Sequence, residues 1–397
     1  MGRLKIAVVT PELPNRSYPN RGHSVYQTLL QLSDYADLQA FCPLPRYPNF
    51  LQPQFDYRKC DLSFSLPGVP SRYFEYPALP VVTRAINGFV CARFLEPHTR
   101  DLQADVVLNF LLYPAGFAAL SLGRRLGIPV VVGTIGSDLN AIPDRVTRWL
   151  TRRTLRRASR VIAKSGQLRN RAIAMGADLE KTHIVPNGCD SEIFFPRDRE
   201  TARVELNLPV GTELVVFSGR IHPRKGVGEL LNAAAILSRR RRNFRLVYIG
   251  DGPELPRLKE AVRTRNLGRA VSFAGSCSPP EVARWLAAAN LMALPSYAEG
   301  CPNSVIETLS CGRPVVATPV GNISELIGSD CGALAPVGDA AALASAIGRA
   351  LDSTWDENRI AKRFSRSWKQ VALEVLAICE TSVQEARAQF DGKLCAA

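Results

Sequence analysis

Short apolar runs alternate with stretches of helical periodicity along most of the chain. Leu4–Thr10 reads as a strand, and Val25, Leu29 and Leu32 then make a helical stripe at i, i+4 and i+7. Pro43–Pro80 is loop-rich, with eight prolines. The alternation then resumes, with strands at Ala104–Phe110, Pro129–Thr134, Arg160–Lys164 and Thr182–Val185. Helical patterns cover Ala115–Leu126, Asp144–Arg157 and the stretch up to Met175. Asp190–Pro209 is charged, holds two prolines and breaks the rhythm, as a linker does. Beyond it, strands are expected at Leu214–Ser218, Arg245–Ile249, Ala270–Phe273, Leu291–Leu294 and Pro314–Thr318. Helices are expected near 227–241, 254–266, 279–288 and 303–311.

Two such halves predict two doubly wound, Rossmann-like α/β domains with parallel sheets facing a central cleft. The expected boundaries are 1–190 for the first domain, 191–209 for the linker and 210–365 for the second domain. A final helix is expected at 366–397. In sheets of this kind ligands bind outside the carboxyl ends of the strands, where loops meet helix N-termini. The longest apolar-looking stretch, Val106–Gly123, carries Asn109, Pro114, Gly116 and Ser121. It reads as strand, loop and helix, because a membrane span needs about 20 largely apolar residues. The short apolar run at the N-terminus has no small-residue cleavage site after it and reads as a core strand.

Composition narrows the class. The 397 residues are 46% hydrophobic and 22% charged, which excludes a disordered chain. Ten cysteines are scattered without a Cys-x-x-Cys, and the four histidines do not cluster. That argues against zinc and for a reducing, cytoplasmic setting. The net charge is +14. Ten basic and no acidic residues lie in Arg145–Arg171, and Arg239–Arg242 is a second run. Solvated helix faces, anionic lipid headgroups and nucleic acid are the three readings. No base-stacking aromatic pattern accompanies the runs, which disfavours nucleic acid.

Two motifs carry candidate chemistry. Ser218-Gly219-Arg220-Ile221-His222-Pro223-Arg224-Lys225-Gly226 follows a strand and opens a helix. The fork of Arg220, the point charge of Lys225 and the helix start suit a diphosphate; a turn with surface basics is the plainer reading. Glu299-Gly300-Cys301-Pro302-Asn303-Ser304-Val305-Ile306-Glu307 follows the strand Leu291–Leu294. Pro302 fits the first helical position, leaving the N–H groups of residues 303 and 304 to face an anion or sugar oxygens. Glu299 and Glu307 suit paired hydroxyls, although two acids at this spacing also fit a helix preceded by a dipole-favoured acid.

Taken in order, these motifs resemble the family 4 glycosyltransferases of the GT-B fold. The resemblance rests on Val185-Pro186-Asn187-Gly188-Cys189-Asp190, Gly219-Arg220 with Lys225-Gly226, and Gly250-Asp251-Gly252-Pro253. It continues through Val271-x-Phe273-x-Gly275, Pro295-Ser296 with Glu299 and Glu307, Cys311-Gly312-x-Pro314 and Gly321 to Glu325. The tail, Phe364-Ser365-Arg366-Ser367-Trp368 with its amphipathic helix over 366–397, resembles the segment that crosses back to the first domain, and upstream, Tyr113-Pro114-x-Gly116 and Gly136-Ser137-Asp138-Leu139-Asn140 look like the subset that builds bacterial surface polysaccharides.

The resemblance implies a UDP- or GDP-linked sugar as donor, retention of anomeric configuration, and no metal or other cofactor. Gly219, Arg220 and Lys225 would hold the diphosphate, and Glu307 the ribose hydroxyls. Glu299 with Cys301, Pro302, Asn303 and Ser304 would hold the sugar, and Ser276 would lie at the base. Gly22 would approach donor and acceptor in the first strand-to-helix loop, with His23 beside it and His222 near the diphosphate. A glycan or lipid-linked acceptor is expected, with an anionic membrane surface as a candidate partner on the inner face of the plasma membrane.

The first domain departs from the pattern. Leu108-Asn109-Phe110 stands where relatives usually read His-x-His-Phe, and Ile135 stands where His or Arg is frequent. Asn109, Tyr113 and Asp138 are candidates to compensate, with Ser137 or Asp138 also suited to capping a helix. The competing readings are a nucleotide-sugar-binding partner without turnover, a sugar-nucleotide epimerase and a nucleic-acid binder.

Overall fold

The computed structural model describes residues 2–19, 21–48, 60–79 and 82–394. The chain forms two compact units, residues 1–186 with 368–397, and residues 187–367.

In the first unit seven parallel strands run in the order β3-β2-β1-β4-β5-β6-β7. They are β1 Lys5–Val9, β2 Asp37–Arg46, β3 Ser71–Pro77, β4 Val106–Phe110, β5 Val130–Gly133, β6 Arg160–Ala163 and β7 Thr182–Ile184. The helices are α1 His23–Leu32, α2 Asn87–Leu95, α3 Ala115–Leu126, the single turn α4 Ser137–Asn140, α5 Arg145–Arg157 and α6 Gly166–Ala174. Because side chains alternate along a strand, Ile6, Val8 and Leu108 face one core, which α1 covers. Ala7, Val107 and Val132 face the other, which α2, α3, α5 and α6 cover.

The end of β2 and all of β3 lie inside the stretch expected to be loop-rich, of which residues 49–59 and 80 are outside the described residues. Prolines are tolerated there for a reason of register. β1 pairs with β2 only as far as Val9 opposite Phe41. The Phe41 carbonyl faces the β1 side, accepting from Thr10, and the Ala40 N–H faces the β3 side. Pro43 and Pro45 share the parity of Phe41, so their missing N–H groups point where β1 has already ended.

The second unit has six parallel strands in the order β10-β9-β8-β11-β12-β13. They are β8 Glu213–Ser218, β9 Phe244–Ile249, β10 Val271–Gly275, β11 Leu291–Leu294, β12 Val315–Ala317 and β13 Gly332–Leu334. Its helices are α7 Arg199–Glu205, α8 Val227–Arg240, α9 Leu255–Thr264, α10 Pro279–Ala288 and α11 Asn303–Ser310. They continue with α12 Ile323–Leu326, α13 Ala340–Asp352 and α14 Glu357–Arg363.

The charged stretch 191–209, expected as a linker, is part of this unit. α7 is fastened by Arg203, which is 7% exposed. Its guanidinium donates to the carbonyls of Ala288 (3.1 Å) and Thr212 (2.8 Å) and to Asn290 Oδ1 (2.8 Å). A buried guanidinium with its donors satisfied ties a polar segment into a body, which a hydropathy pattern does not show.

The chain then returns to the first unit as α15, Trp368–Leu394. Trp368, Val371, Ala372, Val375, Cys379 and Val383 form its buried stripe, in one core with Leu29 and Leu32 of α1. Arg387 adds an ion pair to Asp105 (3.1 Å), and Glu385 pairs with Arg160. No helix among the described residues is long and apolar enough to cross a membrane.

Candidate active site

In the second unit the predicted residues gather at the carboxyl ends of β8 to β11. Gly219 and Arg220 follow β8, the turn at Gly250 follows β9, Ser276 follows β10, and residues 295–302 follow β11. Backbone bonds stitch these loops together: Gly219 N–H to the Ile249 carbonyl (3.0 Å), Ile221 to Asp251 (2.8 Å) and Gly250 to Gly275 (2.7 Å). Arg220 and Ser276 are exposed on this edge.

The turn Pro223–Lys225 is capped by His222, whose Nδ1 accepts the Arg224 N–H at 3.2 Å. Desolvation and the neighbouring Arg220 and Arg224 hold His222 below its usual pKa, so it accepts as a neutral ring. The turn ends at Gly226, with φ +65°. A Cβ there would fall 1.9 Å from the Pro295 carbonyl oxygen. Only glycine permits that approach, and it brings Lys225 to the β11 loop. Lys225 Nζ lies 2.6 Å from Glu299 Oε1, and the Ser296 hydroxyl donates to the same oxygen at 2.6 Å. The Glu299 side chain is only 8% exposed.

Pro302 is the N-cap of α11, one residue before the helical position expected for it. The first N–H groups of the helix, Asn303 and Ser304, have no intrahelical acceptor and face outward along its axis. The preceding loop is held by two asparagines. Asn187 Nδ2 donates to Asn303 Oδ1 (2.9 Å), and Asn322 Nδ2 approaches Cys301 Sγ (3.0 Å). Asn187 thus works within this unit, supporting the 301–303 loop. One turn into α11, Glu307 is half-buried near Cys189 and Cys311. Desolvation pushes its carboxyl up to about 7. A carboxylate so placed is ready to accept from hydroxyls, which would restore the solvation it has lost.

A groove of about 1000 Å³ also runs between α8 and α13, rimmed by Arg239, Arg240 and Arg242. It sits at the amino ends of β8 and β9, away from the edge where α/β sheets hold ligands.

In the first unit a cavity of about 320 Å³ opens at the carboxyl ends of the strands. Arg21, Tyr47, Tyr76, Arg84, Tyr113 and Asp138 line it. Asp138 accepts from the N–H groups of Leu112 (3.1 Å), Ile135 (3.1 Å) and Gly136 (3.0 Å). Desolvation outweighs these bonds and pushes its carboxyl up to about 6. The Tyr113 hydroxyl donates to the Arg84 carbonyl and accepts from Gly88 N–H (3.0 Å).

Asn109 is not brought to this cavity. It is fully buried, and its Nδ2 donates to the Val9 carbonyl at 2.7 Å, tying β4 to β1. Leu108 and Phe110 are core residues on either side of it. Gly22, with φ +57°, precedes α1, and a Cβ there would fall 2.1 Å from the Glu12 carbonyl oxygen. That close approach requires glycine whether or not a ligand lies near; His23 opens the helix.

Sequence reasoning missed Ser296 as a partner of Glu299, and Arg21, Tyr47, Tyr76 and Arg84 as cavity walls. The tyrosines and prolines crowded at the ends of β2 and β3 were the available signal.

Two doubly wound units, one carrying a cationic loop clasped to a carboxylate at its ligand-binding edge, are the parts of a GT-B glycosyltransferase. Solved structures share the fold. A sucrose-phosphate synthase from Thermosynechococcus elongatus superposes with TM-score 0.71 at 22% identity, covering 98% of this chain and all of that one. Anabaena Alr3699/HepE, solved with UDP, gives 0.67 at 17% identity, covering 99% of this chain and all of that one. The model for "Glycosyl transferase 4-like domain" matches residues 16–188, and that for "Glycosyl transferases group 1" matches 212–353. A Bacillus subtilis protein named for teichuronic acid biosynthesis, the glycosyltransferase TuaC, is 30% identical over 370 residues, spanning 87% of this chain and 89% of that protein. D-inositol 3-phosphate glycosyltransferase 1 of Catenulispora acidiphila is 30% identical over 283 residues, spanning 66% of this chain and 65% of that enzyme. The chain belongs to the family 4 glycosyltransferases.

Proposed function

We propose that the chain moves a sugar from a nucleotide-sugar donor to a glycan or lipid-linked acceptor, with retention and without a metal, in surface polysaccharide or glycolipid synthesis. The observation that carries this reading is the Lys225–Glu299–Ser296 cluster, on the same strand-end edge as exposed Arg220, with half-buried Glu307 one turn into α11. Arg220 and Lys225 stabilise the departing diphosphate, the charge that grows most in the transition state. Glu307 takes the ribose hydroxyls, and Glu299 with residues 301–304 takes the sugar. The bond from the sugar's anomeric carbon to the phosphate oxygen breaks with its electron pair going to the diphosphate. The acceptor oxygen bonds to that carbon on the face the diphosphate leaves, and its proton passes to the departing phosphate oxygen. The UDP-bound Anabaena structures and the B. subtilis relative support the donor class and the pathway.

The first-unit cavity receives the acceptor on this reading, with Asp138 and Tyr113 at its wall. The row Arg145, Arg148, Arg152, Arg153 and Arg156 on α5, around Trp149 at 57% exposure, meets an anionic membrane surface at the inner face of the plasma membrane. Protein retained by anionic liposomes at low salt and released at high salt is the expected outcome; equal binding to neutral vesicles removes this contact.

The deciding experiment is a metal-free thermal-shift titration with UDP, GDP, ADP and their sugar conjugates. A ligand at ~100 times its dissociation constant adds about 2.7 kcal/mol to stability. One selective hit identifies the base; silence from a folded protein overturns the donor site.

A further inference from the structure

The groove of about 1000 Å³ between α8 and α13 lies at the opposite end of the second unit's strands from the donor-site loops. Its floor is one face of α13, where Ala341, Ala344, Ser345 and Gly348 stand at i, i+3, i+4 and i+7. Ala341 and Ser345 are exposed there. Such small side chains leave the space between the helices unfilled, and Ile236 and Leu237 of α8 give it an apolar wall. From Ala341 to Asp352 the floor runs about 17 Å, at 1.5 Å per helical residue.

The rim is cationic. Arg239 and Arg240 close the last turn of α8, Arg242 lies just beyond it, and Arg349 stands in the last turn of α13. Helix ends attract cations, so one or two of these follow from the dipole alone. Arg241 already ties the two helix ends together, pairing with Glu213 (2.8 Å) and Asp352 (2.5 Å). The two carboxylates in the groove wall are thereby engaged. Among the described residues no acid pairs with Arg239, Arg240, Arg242 or Arg349, and all four are exposed. Guanidiniums gathered without acids between them repel one another, and an anionic occupant relieves that repulsion.

We propose that this groove docks an acidic helical segment of a partner protein. Its carboxylates meet the rim arginines, and its small apolar side chains lie on the α13 floor. Every free cation of the rim is an arginine, whose planar fork takes a carboxylate through two N–H groups. A helix suits the floor, because small residues let helix axes approach to about 8 Å. A flat bilayer surface does not reach a concave floor, and no aromatic side chain among the described lining residues offers a base a stacking face. A second copy of this chain brings a net charge of +14 instead of acid. Docking at the amino edge leaves the carboxyl edge open, so the partner holds the enzyme while the donor loops stay accessible.

Fluorescence anisotropy on the full chain tests this with a labelled alanine–glutamate peptide of roughly 16 residues, long enough to be helical. The same peptide with glutamine for glutamate, an oligothymidylate of equal charge and phosphatidylglycerol vesicles are the comparison probes. The glutamate peptide should bind saturably, about tenfold or more tighter than the glutamine peptide or the oligothymidylate, and more weakly as salt rises. Arg240→Gln with Arg349→Gln should weaken it about tenfold. Ser345→Trp fills the floor from an exposed position without changing charge, and should weaken it as much. Arg148→Gln with Arg152→Gln on α5 should change it less than about twofold. Nucleotide-induced thermal shifts should persist in every variant, which keeps this test separate from that of the donor site. Absence of peptide binding, or parental affinity in either groove variant, overturns the proposal. Loss of binding in the α5 variant overturns it in favour of the α5 row. Tighter binding of oligothymidylate through the same arginines overturns it in favour of nucleic acid, and binding of the vesicles alone overturns it in favour of the bilayer. A dimer dissolved by Ser345→Trp overturns it in favour of a second copy.

Discussion

Lys225 and Glu299, 74 positions apart in sequence, form a 2.6 Å ion pair at the carboxyl edge of the second sheet. The carboxylate is nearly inaccessible, while the ammonium remains 29% exposed. The pair therefore presents a cation outward on a fixed acid. Lys225→Ala is expected to lower nucleoside diphosphate affinity about 10- to 100-fold, the usual worth of a hydrogen bond to a charged group. Turnover should fall with it. Glu299→Ala should lower kcat more than affinity for the free nucleoside diphosphate, because the proposed role of Glu299 is to hold the sugar. Calorimetry with UDP and GDP alongside steady-state kinetics separates the two. Unchanged turnover in both variants would remove the pair from the site.

Glu307 links binding and stability to pH. Its carboxyl is raised from 4.5 to about 7 in the folded protein. The folded state then holds the proton more tightly than the unfolded chain between those values. Stability from this group is greatest below about 4.5 and falls as pH rises through 7. Glu307→Gln should flatten that slope in thermal melts from pH 5 to 8. Hydroxyl donors favour the ionised form, so nucleotide affinity should weaken below pH 7 by up to about tenfold per unit. In the glutamine variant this dependence should vanish; a variant that keeps it assigns the titration elsewhere.

Gly226 allows the Lys225 turn to seat on the Pro295 carbonyl. Gly226→Ala should cost about 1–3 kcal/mol, from left-handed backbone strain together with the 1.9 Å clash. It should weaken nucleotide binding as Lys225 leaves Glu299. A melting temperature equal to the parent's would show that the two loops do not pack in this way.

Asp138 serves three backbone N–H groups as well as the cavity wall. Asp138→Ala should destabilise the protein by about 1–3 kcal/mol through stranded donors. Asp138→Asn keeps one acceptor oxygen and should lose less. The carboxyl is raised from 3.8 to about 6, so this group's stabilisation is greatest below about 3.8 and declines as pH rises through 6. A stability loss without a change in kcat/KM of the surviving enzyme would make Asp138 a capping residue alone.

The strand and helix pattern carried most of the architecture, because burial on both faces of a parallel sheet writes itself as short apolar runs. β8, β9, β11 and α8 fall within a residue or two of their expected bounds. The pattern failed where another principle prevailed. β2 accepts prolines because its neighbour ends early, and the 191–209 segment is held by buried Arg203 together with Phe194 and Ala202, apolar positions too sparse to make a periodic stripe.

The same division runs through the site. Local sequence determined the loop that bears Arg220 and Lys225, the helix start at Asn303 and the acid at Glu307, since glycine turns and helix ends have short-range signatures. Only tertiary structure decided that Lys225 meets Glu299 and Ser296, that Asn109 bonds the Val9 carbonyl instead of facing the cavity, and that Tyr47 and Tyr76 wall the same cavity as Asp138. Those relations depend on which strand ends lie side by side, and pairing order in a parallel sheet is set by the packing of the whole unit.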